Sequence, residues 1–377
     1  MWVAYEQAPL PQRAQIITNY NGEIMDEIKE KICKFRSLYK AMYRCKKNVM
    51  WKDSVAGYIK NGLVNTYKLR RQLLDDSYKI DKYSAFTIYE PKIREIVSTR
   101  MKDRVFQRSM SDNYLYAEIT NSFIYDNHAC QVGKGTSRAR ARLVRHMQQY
   151  FKKHGMDGWV LQCDLTNFFG STHHDIAKNA VSLRVSNEWV SNHTYKIIDS
   201  FNQGEDPEVG MGLGSQITQL IELAVLDRLD HIIKEELRIK CYIRYNDDFI
   251  LIHEDKEHLK YCLNRINEYI TSLGLNLSKK KTRLYPLKQR IKFLGFTFQL
   301  TETSKIIKRL SKENVTHEKR KLRRIKKLVD EGVLTKEHVD KCLEAWKAHA
   351  KQGNTHNLIL SMNLFYNNLW KDGKRYV

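Results

Sequence analysis

An α+β chain is what the sequence predicts, with an antiparallel sheet flanked by helices and a helical segment at each end. Two patterns carry that expectation. Residues 158–165 (GWVLQCDL) and 241–253 (CYIRYNDDFILIH) are short apolar runs with acids at their tips, the mark of buried strands. Residues 22–80, and the chain from about 312 onward, instead place apolar residues at helical spacing among many Lys and Arg.

In chain order, Ile28, Ile32, Phe35 and Leu38 form the apolar stripe of the first helical region. Phe86-Thr87-Ile88-Tyr89 is strand-like and stops at Pro91, and residues 131–136, with two glycines and a lysine, form a loop. A helix over 217–237 follows the glycine-dense turn Gly210-Met211-Gly212-Leu213-Gly214. Within 241–253 two strands flank a tight turn at Asn246, a residue type that tolerates positive φ. The second strand, apolar on both faces, is expected at the sheet centre. Leu259, Cys262, Leu263, Ile266, Ile270 and Leu273 mark an amphipathic helix closed by Gly274. Residues 291–300 (IKFLGFTFQL) are a strand pair or bend. The expected partition is a helical extension over 1–80, a main body over 81–300 and a basic helical unit over 301–377.

Composition narrows the function. The 377 residues carry 65 Lys and Arg against 43 Asp and Glu, a formal charge of +22. Such a surplus repels itself and calls for an anionic partner, nucleic acid first, then a membrane surface or an acidic protein. Seven dispersed cysteines without a CxxC pair argue against a zinc site and suit reduced thiols. The N-terminus has no apolar core of signal-peptide length and no run is long enough to span a bilayer, so a cytoplasmic protein without membrane association is expected.

The chemistry points to Asp164, at the end of one apolar strand, and Asp247-Asp248, at a hairpin tip. Clustered carboxylates repel one another unless a cation lies between them, and magnesium is the hard, oxygen-preferring ion that relieves them. An Asp-Asp pair by itself is most often a solvated turn, as Asp75-Asp76 is expected to be. The pair at 247–248 differs in being flanked closely by hydrophobic strands.

Tyr245-Asn246-Asp247-Asp248 resembles the YxDD box of reverse transcriptases, and Asp164-Leu165-Thr166-Asn167-Phe168-Phe169 their first catalytic box. Further segments resemble the family in the same order. These are the EPKxRxI segment beginning at Glu90, Asp103-Arg104-Val105-Phe106, HACQVGKGTSR over 128–138, Gly274-Leu275-Asn276-Leu277 with Lys281-Thr282, and Phe293-Leu294-Gly295-Phe296. The resemblance covers residues 81–300. It implies a right-hand polymerase fold, with fingers and palm in that segment and a thumb after it.

The resemblance also implies an RNA-directed DNA polymerase with two magnesium ions, or manganese in their place, held by Asp164, the Leu165 carbonyl, Asp247 and Asp248. Lys92, Arg94, Phe169, Gln219 and Lys281 would face the incoming dNTP, with Phe169 as the gate against a ribose 2′-hydroxyl. Lys134, Gly214, Gly295, Lys319, Arg323 and Lys326 would meet template or primer. Implied partners are an RNA template (a cognate non-coding or repeat RNA), the DNA product and dNTPs, with an accessory protein or a second copy of the chain as a further partner.

Within the family, Leu213-Gly214-Ser215-Gln216-Ile217-Thr218-Gln219 is similar to the [ILV]GxxxSQ pattern of diversity-generating retroelement enzymes, with Thr218 in place of Ser. Bacterial anti-phage defence enzymes share much of it. The turn lacks the PQGG of group II intron enzymes, which argues against a maturase. Intact Asp164, Asp247 and Asp248 argue against a catalytically silent RNA-binding relative, and Phe169 argues against a viral-type RNA polymerase. Asn246 departs from the Ala, Met or Val of many relatives.

Overall fold

The computed structural model describes residues 27–89, 94–201, 206–212 and 214–371. Helices over 27–33, α1 (Phe35–Lys46), α2 (Asp53–Lys60) and α3 (Gly62–Leu74) open it. The expected stripe turns inward, with Ile32 and Leu38 fully buried, although the helix is interrupted at Lys34, whose backbone is extended. This region packs against α4 (Met101–Met110), so its apolar side chains share one core with the main body.

The antiparallel pair β1 (Ser84–Ile88) and β2 (Arg94–Ser98) stands apart from the other sheets. After α4 come a π-helical segment, Ser111–Leu115, and α5 (Tyr116–Thr120). The long α6 (Thr136–His154) leads into β3 (Trp159–Asp164). Next are α7 (Phe168–Ser171), α8 (His174–Ser182), α9 (Glu188–Asp199) and α10 (Gln216–Val225).

The helix expected over 217–237 is broken. Residues Gln216–Val225 form one helix, Leu226 leaves it, and α11 (Asp227–His231) and a π-helical turn, Ile232–Glu236, follow. Two buried acids account for the break. Asp227 accepts from Arg184 at 2.7 Å and Ser122 at 2.6 Å, and Asp230 accepts from Tyr242 at 2.5 Å and from Arg244. Their partners lie on other elements, so satisfying them redirects the helix.

β4 (Cys241–Tyr245) and β5 (Asp248–His253) form the predicted hairpin, and the sheet order β4-β5-β3-β6 puts β5 inside, as its apolar character requires. Here β6 is Arg283–Pro286, which the sequence reading did not anticipate. Helix α12 (Lys256–Ser272) buries Leu259, Cys262, Ile266 and Ile270 on one face of the sheet. Gly274 ends it at φ +67, a conformation open to glycine. The other face meets α6 and a second core.

That second core includes a three-stranded sheet of β7 (Ile291–Phe293), β8 (Phe296–Leu300) and β9 (Ile306–Leu310). The third strand, which the sequence does not announce, opens the segment 301–377 ahead of the helices expected from about 312. α13 (Lys312–Asp330), α14 (Lys336–Ala350) and α15 (His356–Lys371) then close on Leu322, Trp346 and Tyr366. Arg140, only 2% exposed, fastens this end to α6: it donates to the Leu294 carbonyl at 3.1 Å and to Gln352, and lies over the Phe296 ring.

Candidate active site

The sheet register brings the predicted acids together. Asp164 and Asp248 are directly opposed on β3 and β5, so their side chains leave the same face of the sheet. Tyr245 pairs with Asp248, which leaves Asn246 and Asp247 as the two turn residues. Asn246 has φ +54, the left-handed conformation that its side chain tolerates. Beneath the turn, the fully buried Arg244 donates to the Asn246 carbonyl at 3.1 Å and to Asp230 at 2.5 Å.

A second strand-like contact fixes Asp164. Leu165 bridges Leu277, through Thr166 N–H to the Asn276 carbonyl at 2.9 Å and Ser278 N–H to the Asp164 carbonyl at 2.7 Å. The turn after Ser278 then carries Lys281 over Asp164, its ammonium donating to the two carboxylate oxygens at 2.6 and 2.7 Å. Asp248 has a different neighbour: Gln162 donates to it at 3.3 Å and to the Lys292 carbonyl at 2.8 Å, and accepts from Tyr285 at 3.2 Å.

Burial pushes the Asp248 carboxyl up to about 7; the Gln162 hydrogen bond and Lys281 oppose this, while the negative charges of Asp164 and Asp247 add to it. Glu222 lies behind them. It accepts from Thr172 at 2.9 Å through one oxygen, and burial, with the charge of Asp247, raises it well above the usual carboxylate range. Carboxylates held at one strand edge, with Asp248 destabilised by the charges of Asp164 and Asp247, are oxygen donors of the type a hard divalent cation takes. Among the described residues no group of three or more His, Cys, Asp or Glu is arranged to hold a metal ion by itself, so an ion here would take most of its shell from substrate oxygens and water.

The surrounding residues divide. Phe168 is buried, and Phe169 is half-buried with its carbonyl accepting from Met211 N–H at 2.6 Å. Beside that contact Gly212 lies flat under Phe201, where a Cβ would fall 2.2 Å from the ring. Gly214, at φ +121, lies next to β2, with the Val97 carbonyl 3.5 Å from where a Cβ would be. Thr218 hydrogen bonds to the Gly212 carbonyl at 2.8 Å, and Gln219 accepts from Cys130 at 3.3 Å. Lys92 lies outside the described residues, and Arg94 pairs with Ile88 through the backbone.

Gly295 is at φ +81 in the turn between β7 and β8, open on its Cβ side. Lys134 is engaged elsewhere: its ammonium donates to the carbonyls of Ile124, Tyr125 and Asn127 at 3.4, 3.0 and 2.7 Å, so it fastens its own loop. Lys319 and Arg323 both lie over the Phe365 ring, and Lys326 lies over Trp370 and pairs with Asp330. Their charged ends pack on α15. The sequence reading missed Gln162, Glu222, Arg244 and Tyr285, because a polar residue inside a strand or helix pattern does not reveal what it will face.

Residues 80–298, more than half of the chain, match the family model described as reverse transcriptase (RNA-dependent DNA polymerase). The chain belongs to the reverse transcriptase family. No curated protein matches it. Among solved structures, this reverse transcriptase is similar to telomerase from Candida albicans in complex with a TWJ fragment of telomeric RNA, with 10% identity and TM-score 0.48, covering 71% of this chain and 55% of that one. Apo telomerase from Candida tropicalis, truncated from its C-terminal domain, shows 11% identity and TM-score 0.47, over 60% and 55%. A further apo structure from Candida tropicalis shows 12% identity and TM-score 0.45, over 61% and 49%. The reverse transcriptase spans about half the length of these telomerase chains.

Proposed function

We propose that the chain is an RNA-directed DNA polymerase that copies a partner RNA by two-metal nucleotidyl transfer. The observation that carries this reading is the opposed pair Asp164 and Asp248 with Asp247 at the adjoining turn, inside the segment that matches the family. Asp164 and Asp247 would be the principal ligands for magnesium, or manganese in its place, with the Leu165 carbonyl beside them and Asp248 the more dispensable acid. Bound there, the ions would lower the pKa of a primer 3′-hydroxyl and neutralise charge on the leaving pyrophosphate.

The protein's own share is positioning. Lys281 pairs with Asp164 and stands ready to meet triphosphate oxygens as they arrive. Phe169 faces the sugar, and Lys92, Arg94 and Gln219 complete the dNTP side. Gly214 and Gly295 allow close approach of template and primer backbones. Residues 81–300 would serve as fingers and palm, 1–80 as a helical N-terminal extension, and 301–377 as thumb. The pattern 213–219 supports placement with bacterial diversity-generating or anti-phage defence enzymes acting on a cognate RNA.

Primer extension on an RNA template with dNTPs and magnesium tests the reading. Incorporation by the wild-type chain, abolished in Asp247→Ala, supports it. No incorporation by wild type, or incorporation that Asp247→Ala leaves intact, overturns it.

A further inference from the structure

The catalytic acids lie at one end of the central sheet. The other end, where β3 begins at Trp159, β4 begins at Cys241 and β5 ends at His253, opens into a cavity of about 660 Å³. At about 3.3 Å per residue, five residues separate the two ends by roughly 17 Å. The volume falls within the range of sites that take a small organic group.

The lining of this cavity is basic. Lys152 and Lys153 enter from the last turn of α6, and Arg238 and Lys240 from the segment leading into β4. All four are exposed, and among the described residues none has an ion pair. Other surface cations of this protein do find acids, as Lys260 and Arg265 do with Glu257 and Glu268. The helix dipole accounts for cations at the end of α6. It does not account for Arg238 and Lys240, which lie on a different element.

Arg238 also holds φ +55, a costly conformation for a residue with a side chain. The one acid in the lining, Glu254, is approached by His154 at 3.9 Å and His253 at 3.7 Å. His154 stacks on Tyr150 with ring centres 4.8 Å apart, so it presents an aromatic face beside the cations. Unpaired cations beside a stacked ring are what a nucleotide unit needs, with phosphate on the Lys and Arg side and base on the ring.

We propose that this cavity is a second nucleic-acid site, which holds a phosphodiester-linked nucleotide of RNA apart from the catalytic cleft. It would anchor a distal part of the RNA whose template segment is being copied. It rests on the polymerase reading for the identity of the strand.

The test uses the full chain and the variant Lys153→Glu/Arg238→Glu/Lys240→Glu. Binding of a labelled RNA hairpin is followed across a salt series, and extension of a short primer–template is followed in parallel. The expected result is hairpin affinity lowered about tenfold or more, with a salt dependence shallower by roughly one unit per lost contact, and short-template extension unchanged. Hairpin affinity and salt slope equal to wild type overturn the proposal. So does displacement of the hairpin by AMP from the wild-type site with no effect of the triple variant on RNA binding, which would mark a mononucleotide pocket. Should the triple variant fail to fold, His154→Ala together with Lys240→Gln gives the same decision. Absence of extension by wild type sinks the polymerase reading while leaving the hairpin measurement readable.

Discussion

The Lys281 ammonium lies 2.6 and 2.7 Å from the two carboxylate oxygens of Asp164. A lysine so close to a proposed metal ligand has two uses: it offsets the carboxylate's charge, and it can hand a proton or a charge to a triphosphate. Lys281→Ala is expected to slow single-nucleotide incorporation by on the order of a hundredfold. Lys281→Arg should restore charge but not the pH dependence. Rapid-quench kinetics across pH checks this, and wild-type rates in Lys281→Ala would rule the role out.

Gln162 holds Asp248 at 3.3 Å and is itself held by Tyr285. Its hydrogen bond lowers a carboxyl that burial pushes up to about 7. Gln162→Leu removes that donor, so the Asp248 carboxyl should rise further and the acid limb of the activity profile should move to higher pH. An unmoved limb would show that Asp248 does not set it.

Phe169 is half-buried while its neighbour Phe168 is core. Phe169→Val should raise ribonucleotide incorporation relative to deoxyribonucleotide by on the order of tenfold to a hundredfold, with little loss of stability. Competition between dNTP and rNTP in primer extension measures the ratio.

Asp103 is fully buried, where it accepts from Tyr78 at 2.6 Å and from Asp81 N–H at 3.1 Å, and burial raises its carboxyl to about 6. The folded state therefore holds this proton at pH values where the unfolded chain has lost it. Stability falls as pH rises from about 4 to about 6, by about 3 kcal/mol at most. Asp103→Asn should flatten that slope, as thermal unfolding at pH 4.5 and 7 would record. A slope equal to wild type would remove Asp103 as its source.

Arg244 and Asp230 are both fully buried and bonded at 2.5 Å. Asp230→Ala leaves the guanidinium unpaired beneath the Asn246-Asp247 turn and should destabilise the chain by about 3–5 kcal/mol. Denaturant unfolding of Asp230→Ala, Arg244→Met and the double variant gives the coupling. Strict additivity would show that the pair does not act as a unit.

The central hairpin was legible because apolar strands bracket Asp247-Asp248 within a few residues, and Asp164 ends a matching run. What local pattern could not reveal was set by partners far along the chain. The break at Leu226 follows from Arg184, Ser122 and Arg244 drawing in Asp227 and Asp230. Lys134 reads as a free loop cation until the carbonyls of 124–127 surround it. Strand β9, with the sequence IIKRL, has no alternation to announce it and exists because β8 offers it an edge. In α13 Leu322 and Ile325 are buried and Leu328 is half-buried, while the aromatics that take up its basic side chains come from α15, far from them in the chain.

Arg140 has a consequence for transplantation. One enclosed guanidinium ties α6 to the β7–β8 turn and to the loop before α15. A chimera that exchanges the C-terminal helices of this chain for those of another enzyme would strand that side chain. The exchangeable module therefore begins at residue 136 in one part of the sequence and resumes near 290 in another, and a cut at 300 alone divides what the fold keeps joined.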